Sequence, residues 1–290
     1  MIMSSRSAYF LVLTLFPVVL LADGVESPDA VIFSFGSQEP SSYTQTLTVT
    51  TEQNLMVSQP RQEKTISISK VALKQSATGW TMTVTPVSMT LFQDGRKVSD
   101  SMAKMKARIA ISYQLDSQGQ LQSIGGFDEF IANLASDFGQ PIAETTAQML
   151  DIPALKKAAR HDWQQMYGVF AGQQFVLGEP QIAQSSHELP NGTAALYPVT
   201  TIVSKAVSCP QGQCVQIDQI YGTEKDNEVS PQVIKGGPVV TGNSQRLLDA
   251  KTMQYFELVS SLKLHFHKSI AFDGSDAGFI TQTRVVEFTD

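Results

Sequence analysis

Four histidines are the side chains in this chain best suited to moving protons or holding a metal, and their spacing favours neither use. His265-Phe-His267 puts two rings on one face of a strand, as a metal site would want. Lys263 shares that face, however, while Leu262, Leu264 and Phe266 take the other, so the pattern reads as a solvated face with a cation beside the rings. His161-Asp162 precedes Trp163 on a predicted helix, where adjacent side chains diverge and form no dyad. His187 lies in the polar run Gln184-Ser-Ser-His-Glu188 and is predicted to sit in a loop. No metal site is expected.

Nucleophile and phosphate motifs are also missing. The chain has no Gly-x-Ser-x-Gly elbow, no His-Glu-x-x-His, no phosphate loop and no Gly-x-Gly-x-x-Gly. Gly125-Gly126 and Gly236-Gly237 read as turns. The acids Asp128 and Glu129 suit a helix start, where a carboxylate meets free backbone N–H groups. Asn191-Gly-Thr193 fits a hairpin turn better than a glycosylation acceptor. The expectation is a protein without catalysis and without a cofactor.

Cys209 and Cys214 are the two cysteines, inside Ser-Cys-Pro-Gln-Gly-Gln-Cys. In an oxidising compartment they read as a disulfide closing a hairpin tip. So short a loop contributes on the order of 2 kcal/mol by chain entropy. A redox pair would want the two-residue spacing that opens a helix; here the spacing is four, between strand-like segments.

The elements that must position these residues are mostly strands. Period-two alternation is clearest from Met105 to Leu115, with Lys104, Lys106 and Arg108 on the wet face. Weaker alternation marks residues 43–57, 65–73, 79–92, 194–207, 215–221, 253–267 and 280–288. Turns are predicted at Asp94-Gly95, Asp116 to Gly119, Asn191-Gly192 and Asp273-Gly274, which favours antiparallel hairpins. The apolar phase flips from Ile66 and Ile68 to Val71 and Leu73, and from Trp80, Met82 and Val84 to Val87, Met89 and Leu91. Bulges near Lys70 and Pro86 would absorb those slips and curl the sheet.

Between the strand blocks the period becomes helical. Phe127, Phe130, Ile131, Leu134 and Phe138 open it, Gly139-Gln-Pro141 and Asp151-Ile-Pro153 interrupt it, and Gly172 closes it. The predicted class is α+β, mainly antiparallel: a curled, meandering half-barrel or barrel-like sheet with about three helices inserted at residues 127–172. Leu115-Asp-Ser-Gln-Gly-Gln-Leu121 and the stretch from Leu248-Asp-Ala to Phe256 read as one aspartate turn used twice, through duplication or through common hairpin chemistry.

Residues 1–22 read as a secretory signal peptide: Arg6, an apolar run from Ala8 to Leu21 broken by Thr14 and Pro17, and Ala22 before Asp23-Gly24. The run is too short for an anchor, and no lipidation cysteine follows it. A single mature domain, residues 23–290, is expected in the periplasm or outside the cell. A net charge of −6 disfavours nucleic acid and anionic membrane surfaces as partners.

Tyr113-Gln-Leu-Asp-Ser-Gln-Gly-Gln-Leu121, the Trp163 helix running to Gly172, and Leu248-Asp-Ala resemble segments of exported bacterial β-rich proteins of unknown function. A curled antiparallel sheet closed by helices is also similar in architecture to periplasmic carriers of lipids and lipoproteins. The resemblance implies a binding protein that holds an apolar, lipid-like molecule, or a greasy segment of a partner, between sheet and helices. Candidate lining residues are Trp80, Met82, Phe130, Phe138, Met149, Trp163, Met166 and Phe170. The alternatives are a non-catalytic interaction module of an envelope assembly and, third, an exported hydrolase assembled from distant acids or histidines.

Overall fold

Val, Ile, Thr and Tyr dominate the strand-forming runs, and each run alternates side chains between an inner and an outer face. The computed structural model describes residues 29–35, 41–55, 58–99, 105, 107–188, 194–205, 214–222, 238–267 and 276–289. Residues 1–22, Cys209, Lys104, Lys106, Asn191-Gly192, Gly236-Gly237 and Asp273-Gly274 lie outside them.

The first half of the sheet comprises β2 (Ser41–Leu55), β3 (Arg61–Ser76), β4 (Gly79–Gln93), β5 (Arg96–Val98), β6 (Ile111–Asp116) and β7 (Leu121–Gly125). The second half comprises β9 (Pro180–Glu188), β10 (Ala194–Lys205), β11 (Cys214–Tyr221), β12 (Val239–Asp249), β13 (Tyr255–His267) and β14 (Asp276–Thr289). All pairings are antiparallel. The spatial order is β7-β6-β4-β3-β2-β14-β13-β12-β11-β10-β9, with β5 beside β4, so the first strand of one half pairs with the last strand of the other. A separate ribbon joins β1 (Ala30–Ile32) to β8 (Gln174–Val176).

The phase flips appear as one bulge. Ile68 faces Ser88 and Ser69 faces Pro86, leaving Val87 as the extra residue, its side chain 66% exposed. The strand expected from Met105 begins only at Ile111; Met105 is in a helical turn whose carbonyl accepts the Arg108 N–H. The cause lies in the neighbouring strand. The β4–β6 pairing ends at Val84↔Ile111, just before Pro86, which has no N–H to donate, and the far part of β4 pairs with β5 instead. The aspartate turns share their chemistry. Asp116 Oδ1 accepts from the N–H groups of Gln118 and Gln120, and Asp249 Oδ1 from those of Lys251 and Thr252.

Helices α1 (Phe127–Phe138), α2 (Gln140–Leu150) and α3 (Ile152–Trp163) follow the predicted breaks. The Glu129 carboxylate accepts the Gly126 N–H at 2.9 Å, and the Asp151 carboxylate accepts the Ala154 N–H at 3.3 Å. Their buried residues Phe127, Leu150, Ala159 and Trp163 join Val71, Leu73, Trp80, Met82, Tyr113 and Leu115 of the first half in the main core. None of the helices among the described residues is long and apolar enough to cross a membrane.

Candidate functional site

The helical block fills the concave face of the first half but reaches the second half only with its end. There α3 passes into a π turn, Gln164–Gly168. Such turns interrupt the regular i→i−4 bonding and free carbonyls to bond elsewhere. The carbonyls of Gln165 and Met166 turn to Arg246 on β12, whose guanidinium donates to them at 3.0 and 3.2 Å. Arg246 also donates to the Tyr255 hydroxyl at 3.2 Å and lies 5.0 Å over the Phe170 ring. The Tyr255 hydroxyl in turn donates to the Met166 carbonyl. Gly168 is required at this turn, because a Cβ would come within 2.6 Å of the buried Trp163 ring.

Beneath the π turn a cavity of about 460 Å³ opens over the concave face of the second half, within the ordinary range for small-molecule sites. Its walls come from all six strands, β9 to β14. In a flat sheet β9 and β14 would be five strand spacings, about 24 Å, apart. Strong curling brings them round one space.

The floor of that space is polar, and the register shows how. Thr201 faces Gln219, Gln219 faces Ser244, Ser244 faces Ser260 and Ser260 faces Arg284. At the β9 edge Gln181 faces Thr201. The result is a belt of inward polar side chains crossing six strands in register. On one side of it Val203, Ile217, Leu258 and Val286 belong to the main core; on the other, Tyr197, Val199, Val240 and Leu264 form a second apolar cluster. The belt is internally bonded: Gln219 Nε2 donates to Thr201 Oγ1 at 3.1 Å, and Ser244 Oγ donates to Gln219 Oε1 at 3.1 Å. Buried polar groups persist where they are satisfied in this way.

Among the described residues the lining carries two arginines, Arg246 and Arg284, and one histidine, His187, with no Asp, Glu or Lys. Arg284 donates to Gln282 Oε1 at 3.2 Å and lies 3.5 Å from the Asp162 carboxylate at the mouth. Burial, then the nearby charges of His161 and Arg284, push the His187 pKa below its ordinary value, so the ring is held neutral. His187 Nδ1 is buried and has no hydrogen-bond partner. Burial also pushes the Tyr43 hydroxyl up to about 12.

No family model matches the chain, and no curated protein matches its sequence. A solved structure concerned with lipid–protein interactions in lipovitellin aligns with 86% of this chain at 8% identity and a TM-score of 0.47. The chain spans 25% of that lipovitellin chain.

Of the expected lining residues, Met166 and Phe170 border the cavity. Trp80, Met82 and Trp163 are core residues, and Phe130 packs against that core half-buried. Phe138 and Met149 point outward, 57% and 61% exposed, because α1 and α2 bury the opposite faces through Phe127, Ala143 and Leu150. Cys214 is buried at the start of β11, while Cys209 lies outside the described residues.

His161 and His187 come near enough for their charges to interact, while His265 lies on another strand. His161 is exposed on α3 and contacts Gln165 at 2.8 Å, and His265 lies 6.5 Å from Phe279. His187 is on edge strand β9, not in a loop, since β10 supplies its backbone partners. No group of three His, Cys, Asp or Glu able to hold a metal occurs among the described residues.

The functional candidates that composition and motif missed are Thr201, Gln219, Ser244, Arg246 and Arg284. One signal was available: in 215–221, Gln219 shares its phase with Val215, Ile217 and Tyr221, a polar residue on a buried face.

Proposed function

We propose that this chain is a binding protein whose small-molecule ligand lies between the π turn and the concave face of β9–β14. The observation that carries the reading is the polar belt under the cavity. A sheet that only needed a core would fill this face with Val, Ile and Leu, because each buried polar group must be satisfied to be tolerated. Here a polar stripe runs between two apolar clusters. The lining therefore suits an amphipathic molecule: a lipid-like body against Val199, Leu258 and Leu262, and a polar end on the belt. The proposed role is retention and release without turnover.

Native mass spectrometry after gentle purification tests this, together with displacement of a fluorescent fatty acid. A co-purified small molecule, released chemically unaltered on denaturation, is the expected result. No bound molecule and no fatty-acid binding would refute the carrier reading, and a repeatable protein partner in their place would favour an interaction module.

We also take the protein to be exported, on the strength of residues 1–22. Recovery from the periplasm or medium with a mature N-terminus near Asp23 is the expected outcome; retention of residues 1–22 in the cytoplasm would refute it.

A further inference from the structure

We propose that the cavity selects ligands bearing an acid group, a carboxylate or phosphate ester on an apolar body, and that Arg284 is its anchor. The inference rests on the binding reading above and names the chemical class of the ligand.

The charge inventory leads to it. The chain as a whole is acidic, at −6, yet among the described residues its cavity is lined by two arginines, a neutral histidine and no carboxylate. Arg246 forms the inner end of this field. It is 5% exposed, and its bonds run to carbonyls and hydroxyls, which solvate a charge without cancelling it. A buried cation neutralised only by dipoles stabilises an anion brought into the same low-dielectric space.

Arg284 is placed to meet that anion. It stands at the end of the polar belt, on β14, with its side chain 20% exposed. Its acidic partner among the described residues is Asp162, 3.5 Å away and itself 58% exposed, a long pair of the kind that contributes little. A ligand acid group can take Asp162's place and gain both oxygens on the guanidinium fork.

Isothermal titration with decanoate, decyl phosphate and decanol separates headgroup from chain. The two acids are expected to bind about tenfold or more tighter than the alcohol, as a charge-assisted pair requires. Arg284→Gln should bring the acid-to-alcohol preference within about threefold. Asp162→Asn, at an exposed position outside the lining, should raise it by up to about fivefold, because it removes the competing carboxylate.

Equal binding of all three ligands would leave the binding reading intact and overturn acid selection. Binding of none would overturn the binding reading itself. Undiminished acid preference in Arg284→Gln, with native circular dichroism, would overturn Arg284 as anchor; a preference for decanoate over decyl phosphate, or the reverse, identifies which acid the site is shaped for.

Discussion

Replacing Arg246 by methionine tests whether the π turn is held by a cation solvated by dipoles. Methionine keeps the unbranched stem to about the Nε position and removes the guanidinium with its charge. Four hydrogen bonds would be lost: to the Gln165 and Met166 carbonyls, the Tyr255 hydroxyl and Ser244 Oγ, the last a long one at 3.4 Å. The Met166 carbonyl still accepts from Tyr255, so the Gln165 carbonyl is the one left without its donor.

An orphaned buried acceptor costs about 1–3 kcal/mol, and loss of the stacking on Phe170 about 1–2 kcal/mol. Relief of the cost of burying the charge offsets part of this. The net expectation is a loss of about 2–3 kcal/mol, or roughly 3–5 °C in Tm for a chain of this size. Arg246→Lys should be no better than methionine. A lysine keeps the cost of burying a charge but cannot fork between two carbonyls and a hydroxyl. Urea denaturation of the three proteins provides the measurement. If lysine restores stability to within about 0.5 kcal/mol of wild type while methionine does not, a carboxylate partner is implied and the reasoning fails.

Three further outcomes follow from named contacts. Gly168→Ala should lower stability by about 1–3 kcal/mol, because the new methyl meets the Trp163 ring, which the core holds fixed; an unchanged urea midpoint would refute it. The pKa of His187 is lowered from 6.5, so its folded form prefers to be neutral and the unfolded chain takes up the proton first. That costs nothing above pH 6.5 and grows as pH falls below it, so between pH 7 and 5 the wild type should lose more stability than His187→Gln; parallel pH curves would count against the assignment. The Cys209–Cys214 bridge expected from the sequence should leave both thiols unlabelled by iodoacetamide in denaturant and labelled after reduction; alkylation of both without reductant would exclude it.

Much of the architecture was readable because it rests on local rules. The helix breaks at Gly139-Gln-Pro141 and Asp151-Ile-Pro153 follow from backbone chemistry that neighbours cannot change, and they fall at the boundaries of α1, α2 and α3. The flip between Ile68 and Val71 had to be absorbed by a bulge, since a slipped register would turn apolar residues outward. Where a partner decides, the reading weakened. The start of β6 was misplaced because it depends on Pro86 in another strand. Strand β9, rich in Gln and Ser, carries no strand pattern of its own because its stability comes from β10. Phe138 and Met149 lie on the exposed side of α1 and α2, because helical period marks an apolar stripe without saying how much of it is covered.

By itself the sequence determined an antiparallel, curled sheet interrupted by three helices, since alternation, turn residues and proline act within a few positions along the chain. Only the tertiary structure decided which polar residues matter. Thr201, Gln219, Ser244, Ser260 and Arg284 are scattered over five strands and form no motif; they become one belt through strand register, and all but Ser244 line the cavity through the curl that brings β9 round toward β14. Register and curvature are set by pairings between residues far apart in the chain, which is why no local pattern displays the belt as a whole.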